Sequence, residues 1–416
     1  MKNIFKKIII ENQERIIKIK VVERQIDFEL EANYIITGQR RTGKTYLLYR
    51  QIQQLIEKGI SEKEILYINF EDERLLEFKT SDFDNILESY YELYDLKPVI
   101  FFDEIQNIPN WQKYARRLAD SNFKIWITGS NAQMLSNEMA TTLGGRFMVK
   151  EIDSLSFEEY LSFYQIATES NMVYAEKRFE IQHKFEDYFY FGGFPEIQKY
   201  SNKREYLNNI FQKIFLGDII ARHQVRNTHA LRLMIKKLAE STMDEVSFNR
   251  VKNIIKSTGI MVGTSTVTEY FAYIEDAFLI TALQNFRTKI TERKSKKKYY
   301  FRDHGLLSLF LTEAESFLME TIVFNHLRKK YPANLYYLKE VYEVDFMIAD
   351  KMLIQVAYSL TDIKTKEREI SALIKAAKTY NIHNLVIITY NQEEIIQNEG
   401  KQISVVPIWK YLLNLI

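Results

Sequence analysis

The first 155 residues alternate between short apolar runs and longer amphipathic stretches. Runs at 33–37, 65–70, 98–103, 123–128 and 147–152 are rich in β-branched and aromatic side chains. The segments between them repeat apolar positions at helical spacing, so the pattern predicts an α/β fold with a doubly wound parallel sheet. Pro98-Val99-Ile100-Phe101-Phe102 lacks polar alternation, which predicts a central strand covered on both faces. From 156 to 226 the chain turns helical and aromatic, with Tyr160, Phe163, Tyr164, Phe179, Phe185, Tyr188 and Phe189 forming a core face, broken by the turn Gly192-Gly193-Phe194-Pro195. This stretch is expected to be a lid or linker (156–229). In it Asp218, Arg222 and Arg226 recur every four residues, as an intrahelical ion pair or as a set facing the nucleotide or a neighbour. Residues 1–32 mix Lys2, Lys6, Lys7, Arg15, Lys18 and Lys20 with isoleucines, and the longest apolar stretch is Ile8-Ile9-Ile10. That predicts a helical segment packing on the neighbouring domain, with no signal peptide, spanning helix or membrane partner.

The chemistry begins after the first strand. Gly38-Gln39-Arg40-Arg41-Thr42-Gly43-Lys44-Thr45 spells G-x-x-x-x-G-K-[ST], and it lies between the strand Tyr34–Thr37 and a helix starting at Tyr46 with Leu47, Leu48, Ile52 and Leu55. Glycines at these positions let successive backbone N–H groups point at phosphates, and the helix N-terminus adds positive potential. In that setting Lys44 reaches the β- and γ-phosphates and the Thr45 hydroxyl joins a Mg²⁺ ion, so ATP and Mg²⁺ are the expected ligands. The strand ending in Asp103-Glu104 delivers two acids to the carboxyl edge of the sheet. Asp103 is assigned to the metal and Glu104 to orienting the attacking water. Ser130 and Asn131, after the strand Phe123–Thr128, are candidate γ-phosphate sensors and equally good helix caps. Arg146, behind Gly144-Gly145, is a candidate catalytic arginine, in cis or from a neighbouring subunit, or a plain turn residue.

In order along the chain, the phosphate loop, Phe102-Asp103-Glu104-Ile105-Gln106, Thr128-Gly129-Ser130 and Leu143-Gly144-Gly145-Arg146 are followed by Leu155-Ser156-Phe157-Glu158-Glu159-Tyr160, Gly192-Gly193-Phe194-Pro195-Glu196 and Asp218-Ile219-Ile220-Ala221-Arg222. This succession resembles the prokaryotic AAA+-like ATPases whose C-terminal half is a domain of unknown function. The resemblance implies an ATPase module (33–155), helical and winged-helix segments, and a final domain similar to the PD-(D/E)XK nuclease fold.

The later segments can be read against that expectation. Residues 230–312 read as a winged helix, with helices at Phe248–Lys256 and Thr264–Asp276 and strands at Phe278–Phe286 and Tyr299–Arg302. The tip between these strands holds seven basic residues, Arg287, Lys289, Arg293, Lys294, Lys296, Lys297 and Lys298, against one acid; they are candidate DNA contacts or a solvated loop. In residues 313–416, Glu320 and Asp345 match two acids of the nuclease pattern. Gln355 and Ala357 stand where its E-x-K glutamate and lysine belong, so the domain is expected to be degenerate, with Gln355 still offering an oxygen.

Composition narrows the rest. A chain of 416 residues with 46% apolar and 27% charged residues is a globular protein of several domains. The absence of cysteine excludes disulfides and thiolate chemistry. Six scattered histidines suggest no zinc site, and a net charge of +2 leaves nucleic-acid affinity to a local patch. The expectation is a cytoplasmic ATPase, an oligomer candidate, acting on nucleic acid. A nucleotide switch with a protein-binding C-terminal half and an ATPase–nuclease remain rival readings.

Overall fold

A computed structural model of the protein describes residues 1–24, 26–29, 31–135, 137–166, 177–286 and 296–415. The chain forms two compact units: Met1–Asp153 with Asp276–Phe278, and Ser154–Glu275 with Leu279–Ile416.

In the first unit, β1 (Asn33–Thr37), β2 (Ile65–Asn69), β3 (Val99–Asp103), β4 (Lys124–Gly129) and β5 (Phe147–Glu151) form a parallel sheet in the order β2-β3-β4-β1-β5. The pleat sends alternate side chains to opposite faces. Ile35, Leu66, Ile68, Ile100, Phe102, Ile125 and Ile127 face one core, and Tyr34, Ile36, Tyr67, Phe101 and Trp126 face the other. Helix α1 (Lys2–Ile16) contributes Phe5, Ile8 and Ile9 to the first core, where α3 (Phe83–Tyr91) and α4 (Trp111–Asp120) also pack; α2 (Lys44–Glu57) covers the second face with Leu47, Leu48 and Ile52. Each such side chain contributes about 1.5–3 kcal/mol.

The N-terminal segment is thus part of this unit rather than a separate domain. Its role follows from topology. β2 is an edge strand, with carbonyls open to solvent or to another chain. Asn12 and Gln13 of α1 donate to the β2 carbonyls of Tyr67 (3.4 Å) and Ile65 (2.9 Å), covering that edge with amides. Lys2 and Lys6 pair with Glu88 and Glu92 on the exposed side.

In the helices that open the second unit, Tyr160, Phe185 and Tyr188 of the expected aromatic face pack together with Phe157, whereas Phe179, expected on that face, is 73% exposed. The Gly192-Gly193 turn closes on Asp303, whose carboxylate accepts the N–H groups of Gly193 (3.0 Å), Gly305 (2.9 Å) and Leu306 (3.3 Å). Gly192 is in the left-handed region (φ 78°), and a Cβ there would run into that carboxylate, so the turn and the acid require one another. The helix Lys203–Lys213 continues as a π-helix over Ile214–Ala221. Asp218 pairs with Arg222 at 3.1 Å, whereas Arg226 lies past the helix end, because the helix stops at Gln224 in the left-handed region (φ 51°).

Helix Thr228–Glu240, β6 (Glu245–Val246), helices Phe248–Ser257 and Thr264–Asp276, β7 (Ile280–Leu283) and β8 (Lys297–Phe301) follow in order. The strands form an antiparallel sheet ordered β6-β8-β7. β7 is shorter than expected, because Asn285 bridges to Tyr337 instead of continuing the hairpin. The last domain is a six-stranded mixed sheet, β13-β14-β12-β11-β10-β9, built from β9 (Leu335–Lys339), β10 (Glu343–Ile348), β11 (Met352–Val356), β12 (Leu385–Thr389), β13 (Glu394–Asn398) and β14 (Lys401–Pro407). Helix Ile363–Tyr380 packs Leu373, Ala376 and Ala377 on Leu338, Leu353 and Ile387. Among the described residues, no helix is long and apolar enough to cross a membrane.

Asp303→Ala strands three buried amides and is expected to cost about 3 kcal/mol in urea unfolding; a loss below about 1 kcal/mol would mean that they find other partners.

Candidate functional site

The loop between β1 and α2 lies at the carboxyl edge of the sheet, beside the point where the strand order reverses. Gly43 sits at φ 93°, and Gly38 has a positive φ with its backbone against the Ile152 carbonyl, where a Cβ would collide. Arg41 also has φ 68° and is exposed. Thr42 is buried and its hydroxyl donates to the Gln39 carbonyl (2.8 Å), bracing the bend. Gln39 is buried as well, and its amide nitrogen has no hydrogen-bond partner. Arg40 pairs with Glu71 (3.0 Å), and Tyr46 stands exposed on the first turn of α2. Lys44 is 3% exposed and its ammonium donates to the carbonyls of Gly38 and Gln39, both at 3.0 Å.

Opposite the loop, Asp103 is wholly buried at the end of β3 and accepts three hydroxyls: Thr45 from α2 (2.8 Å), Tyr67 from β2 (2.7 Å) and Thr128 from β4. Glu104 follows in the left-handed region (φ 52°), which turns its side chain out of the strand. Its backbone N–H donates to Thr128 Oγ1 (3.0 Å), and its carboxylate lies 3.9 Å from the Lys44 ammonium. Gln106 donates to Glu104 Oε2 (2.6 Å) and to Ser130 Oγ (3.2 Å), so the β4 tip is tied to the second acid. Asn131 accepts the Gln133 N–H through Oδ1 (2.8 Å), the cap geometry, and its carbonyl takes the Thr37 hydroxyl (3.1 Å).

The two neighbouring acids are driven apart. Burial and the Glu104 charge push Asp103 above the ordinary carboxylate range, against its hydroxyl donors. Burial also opposes the charge on Glu104, but Lys44, Gln106 and Arg40 outweigh it and hold that carboxyl below the usual range. Glu104 therefore gives up its proton more readily than Asp103 and stands as a carboxylate beside Lys44, able to accept a hydrogen bond from water. A glycine cradle, a buried lysine and a hydroxyl–carboxylate pair at 2.8 Å suit a nucleoside triphosphate and its Mg²⁺: the loop amides and Lys44 would hold phosphate, and Thr45 and Asp103 the metal.

The structure brings Lys44, Thr45, Asp103, Glu104 and Ser130 together but leaves Arg146 apart. Arg146 immediately precedes β5, whose first residue pairs with Asn33 at the amino end of β1, the sheet edge opposite the loop. Its guanidinium pairs with Asp120 and donates to the Gly144 carbonyl (3.1 Å). In parallel strands an arginine before the strand and a loop after it lie at opposite edges, so Arg146 is not placed to serve its own chain's loop. Sequence reasoning missed Tyr67, Thr128 and Gln106 as site residues. A hydroxyl in an otherwise apolar strand beside Asp103 was the available signal for the first two.

In the C-terminal region Glu320 lies on the helix Glu315–Lys330 and Asp345 on β10. Glu320 is 1% exposed; its Oε1 accepts the Tyr300 hydroxyl (2.6 Å) and lies 3.7 Å from the ammonium of Lys298, which pairs with Glu343 at 2.9 Å. Lys298, expected among the DNA contacts of the hairpin tip, is only 1% exposed because β8 carries it inward, out of reach of such a contact, and of the neighbouring basic residues Lys296 is exposed and Lys297 half-buried. Arg287, Lys289, Arg293 and Lys294 lie outside the described residues. Burial would strip Lys298 of its proton, but Glu320, Asp345 and Glu343 overrule it and raise its affinity for the proton. Gln355 is held at both ends: Oε1 accepts the Asp345 N–H (2.8 Å), and Nε2 donates to the Glu343 carbonyl (3.0 Å) and Glu369 (2.7 Å). Asp345 Oδ2 accepts the Val356 N–H (2.8 Å). Against the nuclease pattern, an amide engaged in hydrogen bonds stands in place of one carboxylate ligand, and the lysine beside Glu320 comes from β8 instead of from position 357.

Comparison with known proteins agrees with the geometry of the first unit. A family model described as an AAA domain matches residues 31–161, and one described as a domain of unknown function (DUF8612) matches 182–316. The uncharacterized protein MJ1544 of Methanocaldococcus jannaschii is 37% identical, covering 99% of this chain and 96% of its own. An uncharacterized protein of Haemophilus influenzae is 30% identical, covering 90% and 93%. Among solved structures, the Walker-type ATPase paby2304 of Pyrococcus abyssi is similar at TM-score 0.42 and 12% identity, covering 71% of this chain and 99% of that one. The ORC1 protein of Aeropyrum pernix in complex with DNA gives 0.34 and 13%, covering 77% and 92%. Both structural likenesses are distant, whereas the two relatives agree over nearly their full length. The chain belongs with them in one family, of P-loop, AAA-type ATPase fold with a domain of unknown function after the AAA domain.

Proposed function

We propose that the protein is a Mg²⁺-dependent ATPase that couples ATP binding and hydrolysis to the binding or remodelling of nucleic acid, in a cytoplasmic setting. The observation that carries the first part is the hydrogen bond from Thr45 Oγ1 to Asp103 Oδ2, with Glu104 beside Lys44. Bound Mg²⁺ would neutralise the β- and γ-phosphate oxygens. The loop amides and Lys44 bind and orient the triphosphate. Glu104, held ionised, orients a water toward the γ-phosphorus and takes its proton as the new P–O bond forms and the bond to ADP breaks. Gln106 and Ser130 hold the Glu104 carboxylate in place. Arg146, at the opposite sheet edge, has a catalytic role only toward a neighbouring protomer of an oligomer.

The nucleic-acid part rests on the second unit. Helix, strand, two helices and two strands around an antiparallel sheet is the order of a winged helix, and the segment joining its last strands is the basic run 287–297. Such a run lies along phosphates. The C-terminal sheet is read as a holding module without cleavage activity, since the amide of Gln355 stands where the pattern has a carboxylate metal ligand.

Lys44→Ala is expected to abolish nucleotide binding or turnover, and Glu104→Gln to keep ATP affinity while lowering turnover by about 100-fold; unchanged turnover in the second variant removes the role given to Glu104. Binding to duplex DNA should weaken steeply with salt, and neutralising Arg293, Lys294, Lys296 and Lys297 together should flatten the salt slope by about one unit for each phosphate left without its cation; a slope that stays put favours the protein-binding switch instead. Lys298→Ala should cost about 3–5 kcal/mol in chemical unfolding by leaving buried carboxylates uncompensated, against about 0.5 kcal/mol or less for Lys296→Ala; equal losses would contradict the buried placement.

A further inference from the structure

A buried carboxylate must be hydrogen-bonded, and Asp103 meets that need with hydroxyls from three different elements. They are not equivalent. The loop motif commits the Thr45 hydroxyl to the metal, so the donors that belong to Asp103 alone are Thr128 on Oδ1 and Tyr67 on Oδ2. Tyr67 is 1% exposed, and burial with the nearby Asp103 charge keeps its hydroxyl protonated far above the ordinary tyrosine range. A phenol has one proton to give. Tyr67 gives it to Asp103 at 2.7 Å, so in the longer contact between the two phenols (3.4 Å) Tyr49 is the donor, and the Tyr49 oxygen in turn accepts Arg15 of α1 at 2.9 Å. The guanidinium also lies over the Tyr49 ring, 5.7 Å from its centroid. Charge at the head of such a chain polarises each hydroxyl toward the next.

On the ATPase reading above, we infer that Tyr67 is a positioning residue for the metal-binding carboxylate, fixing the Asp103 edge that faces Thr45, and that Tyr49 and Arg15 extend this control to helix α1. The N-terminal helix then does more than cover an edge strand: its seating sets how firmly Asp103 is aimed. Thr128 cannot substitute for Tyr67, since it holds the other oxygen and also receives the Glu104 backbone N–H (3.0 Å).

The test separates nucleotide binding from the metal's contribution. ATP affinity is measured calorimetrically on the full-length chain in EDTA and then in Mg²⁺, alongside turnover as a function of Mg²⁺ concentration. Tyr67→Phe is expected to leave the EDTA affinity within about twofold of wild type, while the gain on adding Mg²⁺ shrinks about tenfold and half-maximal turnover moves to about tenfold higher Mg²⁺, the usual scale for partners of a metal ligand. Tyr49→Phe and Arg15→Met, further from the acid, should give the same signature at about threefold; Arg15 is exposed and supplies the test if Tyr67→Phe does not fold. An unchanged Mg²⁺ response in Tyr67→Phe, or equal losses in EDTA and Mg²⁺, overturns the inference while the ATPase reading stands. Wild-type protein with no affinity for ATP under either condition overturns both.

Discussion

A single carboxylate organises the candidate site. Asp103 sits with no exposure at the carboxyl end of β3, an inner strand of the sheet, a position that is costly for an acid unless nearby donors are turned toward it. Thr45, Tyr67 and Thr128 reach it from α2, β2 and β4, so the helix after the phosphate loop and two strands on either side of β3 converge on one group. The strand order is what permits this: β3 lies between β2 and β4, with β1 and its loop one strand further. Glu104 then departs from the strand in a left-handed conformation, which places successive acids in different surroundings, one among hydroxyls and the other beside Lys44.

Much of this was legible because the signals are local. A glycine spacing, an apolar run ending in two acids and a small polar strand tip are each written within a few residues, and their placement follows from the alternation of strands and helices. What escaped notice is non-local. Tyr67 reads as one more aromatic in a strand until the pairing of β2 with β3 sets it near Asp103. Gln106 reads as a turn residue until it bridges Glu104 to Ser130. Arg146 stayed open between three readings for a related reason: a glycine-flanked arginine carries no local sign of its sheet edge, which parallel pairing with β1 sets.

The second unit shows the same limit more sharply. Gln355 suggested a weakened metal ligand, because the sequence displays an amide where an acid is expected. Its neighbours decide otherwise, since the backbone of β10 and the buried Glu369 take up both ends of the amide. Lys298 belonged to a run of basic residues whose composition speaks for solvent. Strand alternation, which begins at Lys297, turned it inward instead.

That inward lysine has a mechanical consequence. Its ammonium is shared between the strand that ends the basic hairpin and the carboxylates of the C-terminal sheet, so neither can rotate against the other without stranding charge in a low-dielectric interior. The start of β8 and the final sheet are therefore tied by a buried charge, so parting them would cost more than the loss of an exposed ion pair.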